Sequence, residues 1–108
     1  MNYRLPYCGY ILFSEKDQLL YIGHTSGLER RYQQHQNGES KSTAPRRPLK
    51  LIFAEYYPFK EDALKREMYF KTSMGRKAIK LMLAETLSKL GYKQEGMGCI
   101  EILYEGSE

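Results

Sequence analysis

The chain has 108 residues, 17 Lys and Arg against 13 Asp and Glu for a net charge of +4, ten tyrosines, two cysteines and no tryptophan. That length supports one core and excludes two, and no stretch approaches the ~20 apolar residues of a membrane span or carries the charged start and apolar centre of a secretion signal, so a cytoplasmic protein without a membrane partner is expected. The basic balance favours an anionic partner such as a nucleic acid, while Cys8 and Cys99 lack zinc or redox spacing and are expected as reduced, mostly buried thiols.

In chain order, "YCGYILF" (Tyr7 to Phe13) and "QLLYIG" (Gln18 to Gly23) are short apolar and aromatic runs separated by the polar "SEKD". They predict an antiparallel hairpin. Thr25 or Ser26 is a plausible N-cap for a helix through "GLERRYQQHQN", which Asn37-Gly38 stops. Pro45 and Pro48 bar "ESKSTAPRRP" from regular helix or central strand and predict an exposed basic loop. "LKLIFAEYY" resumes strand character up to Pro58. A second helix is expected from about Lys60 to Thr72, a break at Met74-Gly75, and a third helix from about Arg76 to Leu90 with Gly91 as its stop. "CIEILYE" in the tail reads equally as a strand or as a loosely packed segment. The order predicts an α/β domain: a small mixed, mainly antiparallel three-stranded sheet flanked by helices, with a core at about 7–90 and a C-terminal extension over 91–108.

Helical projection puts Leu28, Tyr32 and His35 within one arc of the first helix, with Arg31 at its edge. Taken singly, Arg31 reads as a side chain reaching water and His35 as a satisfied helix-end residue. In the second helix, Ala63, Leu64 and Phe70 point inward with Glu67 among them, while Lys65, Arg66 and Tyr69 turn away. A carboxylate in an apolar arc is costly unless a cation, donors or a metal meets it, and an exposed i,i+4 pair with Lys71, worth ~0.2–0.5 kcal/mol, does not justify it. Glu67 is therefore the residue whose position most requires explanation. Gly23, between a strand and a helix, permits a sharp turn or a close approach.

With these residues placed, the chain resembles the GIY-YIG nuclease superfamily over about residues 7–80, in the manner of a small stand-alone domain and of the N-terminal catalytic domain of the DNA-repair excinuclease. "CGY" (Cys8, Gly9, Tyr10) stands as the first motif and "YIG" (Tyr21, Ile22, Gly23) as the second, followed by Arg31 eight residues after the glycine, His35 one turn on, and "ALKREMYFK" as the glutamate-bearing helix. Each piece is weak alone; the ordered set is specific. The resemblance implies hydrolysis of DNA phosphodiesters with one divalent cation, Mg²⁺ or Mn²⁺, held through Glu67. It implies Tyr10, Tyr21, Arg31, His35 and Glu67 as the catalytic set, with Gly23 and His24 auxiliary: Arg31 a fork of donors for the phosphate, Tyr21 a candidate base.

Lys41, Arg46, Arg47 and Lys50 in the basic loop, with Arg76, Lys77 and Lys80, are candidate contacts to the DNA backbone, and a protein partner that supplies DNA affinity is a further expectation. Repair or recombination is the expected setting. The alternative is a nucleic-acid-binding module that keeps the fold without turnover; it would bind with a steep salt dependence yet be indifferent to Mg²⁺ and to loss of Glu67.

Overall fold

In the computed structural model, residues 4–93 are described. Strands β1 (Tyr7–Ser14) and β2 (Leu20–Thr25) form the expected hairpin, and β3 (Leu49–Tyr57) joins the other edge of β1, giving the order β2-β1-β3. Both pairings are antiparallel, so the sheet is wholly rather than mainly so. The turn is built by its own side chains: Ser14 Oγ accepts from the backbone N–H groups of Lys16 and Asp17, and Asp17 Oδ1 accepts from that of Leu19. Short polar side chains favour such turns because they replace backbone partners.

The period-2 alternation of β1 divides the core in two. Ile11 and Phe13 face one way, with Leu20 and Ile22 of β2, onto Phe70, Ile79 and Leu87. Cys8, Tyr10 and Leu12 face the other way, with Tyr21 and Leu49, under Leu28 and Tyr32. Helix α1 (Leu28–Gln36) thus covers one face, and α2 (Lys60–Phe70), α3 (Ser73–Met82) and α4 (Ala84–Lys89) cover the other. The central strand is covered on both faces, which is why it lacks polar alternation. A register shift between Ile11 and Leu12 against β3 leaves Ile52 as the extra residue.

Several boundaries differ from the sequence reading. The N-cap of α1 is Gly27 with no side-chain cap; Thr25 Oγ1 instead accepts from the Gly27 N–H at 3.0 Å. Gly38, at φ 77°, ends that helix as expected. The break after α2 falls at Lys71-Thr72, not Met74-Gly75, because Thr72 caps α3 by accepting from the Gly75 N–H at 3.0 Å. Gly75 serves packing: a Cβ there would lie 1.9 Å from the carbonyl oxygen of Tyr69 and 2.6 Å from Phe70 Cα. The third predicted helix is two, separated at Leu83.

The inward arc of α2 is also displaced. Ala63 and Phe70 are buried, Leu64 is exposed, and Tyr69 packs against the core. Arg66, expected to turn away, lies over the Phe70 ring at 4.4 Å and donates to Glu55 Oε2 at 3.0 Å, so its stem covers apolar surface while its head is paired. The segment between α1 and β3 is less exposed than its composition predicts: Ser40 and Thr43 are buried, and Ala44–Arg46 form one 3-10 turn. Cys8 is a buried free thiol; Cys99 and the "CIEILYE" segment lie outside the described residues.

Candidate active site

Register decides which motif residues meet. Tyr10 pairs with Gly23, and Tyr21 pairs with Leu12 two positions along, so both tyrosines project from the α1 face. Their ring centroids are 6.1 Å apart. Gly23 is required by that pair: a Cβ there would lie 2.8 Å from Tyr10 Oη and 3.0 Å from Tyr21 Cε1. Its missing side chain therefore accommodates the tyrosine rings, not a tight turn.

His35, on the last turn of α1, inserts under both rings, with its centroid 5.0 Å from that of Tyr21 and 5.9 Å from that of Tyr10. The imidazole is 0% exposed; Nε2 is 2.9 Å from Tyr10 Oη and Nδ1 is 2.7 Å from Thr43 Oγ1. Burial, and secondarily the Arg31 charge, lower its pKa to about 4, so the ring is neutral at physiological pH. His35 thus lies behind the tyrosines, out of reach of a substrate.

Tyr10 and Tyr21 are themselves almost fully buried, and burial raises both phenol pKa values. Arg31 opposes the rise at each, and Glu67 adds to it. The two charged residues come from opposite faces, Arg31 from α1 and Glu67 from α2, yet both act on the same pair of hydroxyls. Arg31 also donates to Gln34 Oε1 at 2.9 Å.

Glu67 meets the partners that its burial demands. Oε1 is 2.6 Å from His24 Nδ1, and Oε2 accepts from Lys71 Nζ at 2.8 Å. The carboxylate is 16% exposed, so the Lys71 contact is a partly desolvated pair, and His24 supplies the second partner that sequence did not specify. Gly9 lies opposite His24 in the register, and a Cβ there would meet nothing within 4 Å, which leaves open space beside the pair.

An open cleft of about 460 Å³ is lined by Tyr7, His24, Thr25, Ser26, Arg31 and Lys60. Tyr7, Thr25, Ser26 and Lys60 were not among the site residues expected from the sequence. Chain order was a signal for Thr25 and Ser26, which lead from β2 directly into α1; nothing local places Lys60, at the start of α2, beside them. The basic loop lies elsewhere. Arg46 pairs with Asp17 at 3.1 Å, Lys50 is 3.9 Å from Glu15, and Arg47 donates to the carbonyls of Ala44 and Gln36. These tie the loop to the turn of the hairpin and to the end of α1, away from the cleft mouth. Lys41 is exposed, Lys77 and Lys80 are exposed on α3, and Arg76 is half-buried there.

The three-stranded antiparallel sheet thus carries tyrosines on adjacent strands, an arginine on the following helix and a glutamate on the next. Residues 6–80 match the GIY-YIG catalytic domain, and the chain belongs to that family, a family of nucleases. It is 35% identical to a UPF0213 protein of Clostridium perfringens over 81 residues, 74% of this chain and 87% of the relative. It is 41% identical to one of Staphylococcus saprophyticus over 68 residues, 62% of this chain and 83% of the relative, and 41% identical to UPF0213 protein YazA of Bacillus subtilis over 71 residues, 65% and 71%. No solved structure matches the chain significantly. Among the described residues no helix is long and apolar enough to cross a membrane.

Proposed function

We propose that the protein is a divalent-cation-dependent endonuclease that hydrolyses DNA phosphodiester bonds at the cleft between α1 and the end of β2. The observation that supports this reading is the placement of Tyr10 and Tyr21 side by side on one face across Gly23, with Arg31 on the wall of an open cleft and Glu67 held by His24, which lines the same cleft.

In the reaction, water attacks phosphorus, the bond to the 3′ oxygen breaks, the water gives up a proton, and the departing oxygen must be stabilised. Arg31, on the wall of the cleft, presents a planar fork of donors to the phosphate oxygens. Lys60 adds a point charge from the N-terminal turn of α2. We assign the water proton to Tyr21, whose phenol must first be made more acidic. Burial holds its proton on at neutral pH, and Arg31 opposes burial without overcoming it. Added positive charge beside the pair is therefore needed.

Glu67 fits the cation that would supply it. It offers hard carboxylate oxygens near the surface, and among the described residues no group of three or more His, Cys, Asp or Glu forms an all-protein cage. A small hard ion that keeps most of its waters and takes one carboxylate suits such a site. Bound there, Mg²⁺ or Mn²⁺ would provide positive charge for the phosphate and the leaving oxygen. His24 and Lys71 hold the carboxylate in place and compete for its oxygens.

The cleft carries few cations, namely Arg31 and Lys60, which supports weak intrinsic affinity and a protein partner that adds to it. Cytoplasmic DNA repair or recombination is the setting in which we place the activity. The test is cleavage of plasmid, nicked, flapped and four-way DNA with Mg²⁺ or Mn²⁺ by the parent, Glu67→Gln and Tyr21→Phe. The reading requires products that depend on the cation and fall at least ~100-fold in both variants, the scale of losing a catalytic acid–base or electrostatic group. Salt-dependent DNA binding without products, unchanged in Glu67→Gln, would establish the binding module in its place.

A further inference from the structure

The tyrosine pair rests on a polar chain that ends inside the protein, at a residue without a role in the proposed reaction. Thr43 lies in the segment between α1 and β3, is 0% exposed, and places Oγ1 2.7 Å from Nδ1 of His35. The other ring nitrogen, Nε2, is 2.9 Å from the hydroxyl of Tyr10. Three buried polar side chains from three different parts of the chain thus form one line: Thr43, His35, Tyr10.

A neutral imidazole carries one N–H, so the line has two possible directions. In the first, Nδ1–H donates to Thr43 Oγ1 and Nε2 accepts from Tyr10. The Thr43 hydroxyl hydrogen then lacks an acceptor, because among the described residues the only hydrogen bond of this side chain is the one to His35. A buried hydroxyl hydrogen left in this way is unfavourable. In the second, Thr43 Oγ1–H donates to Nδ1, Nε2–H donates to Tyr10 Oη, and the Tyr10 hydrogen is released on the side of Tyr21. The Thr43 and His35 donors are then both used, and the one hydrogen left over, that of Tyr10, lies on the side of the Tyr21 hydroxyl with which Tyr10 interacts.

We infer that Thr43 is a positioning residue for the tyrosine pair: its hydroxyl fixes His35 in the Nε2–H tautomer, and the imidazole in turn directs the hydroxyl hydrogen of Tyr10 toward Tyr21. Tyr10 otherwise raises the phenol pKa of Tyr21, by its charge and through their hydrogen bond; a Tyr10 that stays protonated and donates to Tyr21 removes that opposition. The opposite direction would draw the hydrogen of Tyr10 inward and leave that opposition in place. The loop has a matching role. Ser14 Oγ donates to the Arg46 carbonyl at 2.7 Å, the Glu15 N–H donates to the Pro48 carbonyl at 2.9 Å, and Arg46 pairs with Asp17 at 3.1 Å. These contacts clamp the segment to the hairpin turn and hold Thr43 under His35. The proline-flanked basic stretch thereby acts as a bracket for the site.

The effect on turnover rests on the nuclease reading; the tautomer does not. The chain has two histidines, so long-range ¹H–¹⁵N correlation of the ¹⁵N-histidine-labelled protein, free of DNA and metal, separates their ring nitrogens. Resonances of His35 are assigned as those that remain in His24→Gln. The expected result is a protonated Nε2 and an unprotonated Nδ1 at pH 7 in the parent. Thr43→Ser keeps this pattern, whereas Thr43→Val moves the proton to Nδ1 or mixes the two forms. Cleavage falls about 10-fold or more in Thr43→Val and is retained in Thr43→Ser. A parent with Nδ1–H overturns the inference with no variant needed, as does a folded Thr43→Val that keeps the parental tautomer or the parental rate. A parent that shows the Nε2–H tautomer but cuts no DNA overturns the nuclease reading, and with it the role of Thr43 in turnover, while the tautomer itself stands.

Discussion

The two faces of the sheet are made by alternate residues of the same strands, yet they are held by different physics. On the α2 side Ile11, Phe13, Leu20, Ile22, Phe70, Ile79 and Leu87 bury hydrocarbon against hydrocarbon. On the α1 side the corresponding layer contains Tyr10, Tyr21, His35 and Thr43, with Tyr10, His35 and Thr43 joined by hydrogen bonds within it. An apolar face tolerates any filling of the right volume; a buried polar face tolerates only those that keep each donor with an acceptor. The first stabilises, and the second specifies where two phenol oxygens stand.

This contrast breaks most directly at Phe70. Phe70→Ala removes a buried ring that packs edge-on to Phe53 and under Arg66, and should cost about 3–5 kcal/mol in thermal or urea unfolding. The molecules that remain folded should cleave at the parental rate. A loss below about 1 kcal/mol would mean that the apolar face is not the main source of stability.

The polar face should instead reveal itself through pH. His35 has a folded pKa near 4, below the ordinary value of 6.5, so below about pH 6.5 the unfolded chain takes up a proton that the folded one refuses. Its contribution is fully present above pH 6.5 and diminishes as pH falls toward 4, by at most about 1.4 kcal/mol per pH unit and on the order of 3 kcal/mol in all. Urea unfolding at pH 7 and pH 4.5 should show this slope in the parent and a shallower one in His35→Gln. Equal slopes would remove the histidine from the polar face's account. Gly23→Ala comes next, at about 1–3 kcal/mol, because its Cβ would meet Tyr10 Oη at 2.8 Å and force buried rings to move. Near-UV circular dichroism should change with it, and cleavage should fall more than stability does. A variant with parental spectrum and rate would show the rings free to yield.

Much of this division could be read in advance. The hairpin, β3 and the inward position of His35 followed from alternation and helical projection, because those patterns are local. The need for a partner at Glu67 followed from the cost of burying a charge; the identity of that partner did not, since His24 is 43 residues away and the pairing depends on how α2 crosses β2. Thr43 was hidden for a different reason. A threonine among Ser, Lys, Arg and Pro reads as solvated loop, and its burial comes only from the return of the chain beneath α1 into β3. The cations of that loop were legible as charge but not as contacts: Asp17 and Glu15 sit on the hairpin turn, and only the folded register brings Arg46 and Lys50 to them.

The smallest effect expected separates charge that serves the cleft from charge that serves the bracket. Lys60 lines the cleft, whereas Arg46 is paired with Asp17 at the other end of the hairpin. Lys60→Ala should therefore weaken DNA binding and reduce the slope of log affinity against log salt by about 1, while stability stays within about 0.5 kcal/mol of the parent. Arg46→Ala should leave the slope unchanged and act through the loop, lowering stability slightly and loosening Thr43. The reverse pattern, a slope change from Arg46 and none from Lys60, would move the DNA path onto the basic loop. It would also make the polar face a support for a bound strand passing the hairpin turn instead of for the cleft beside Arg31. The two variants thus decide, by titration at several salt concentrations, which end of the hairpin the positive charge of this small domain serves.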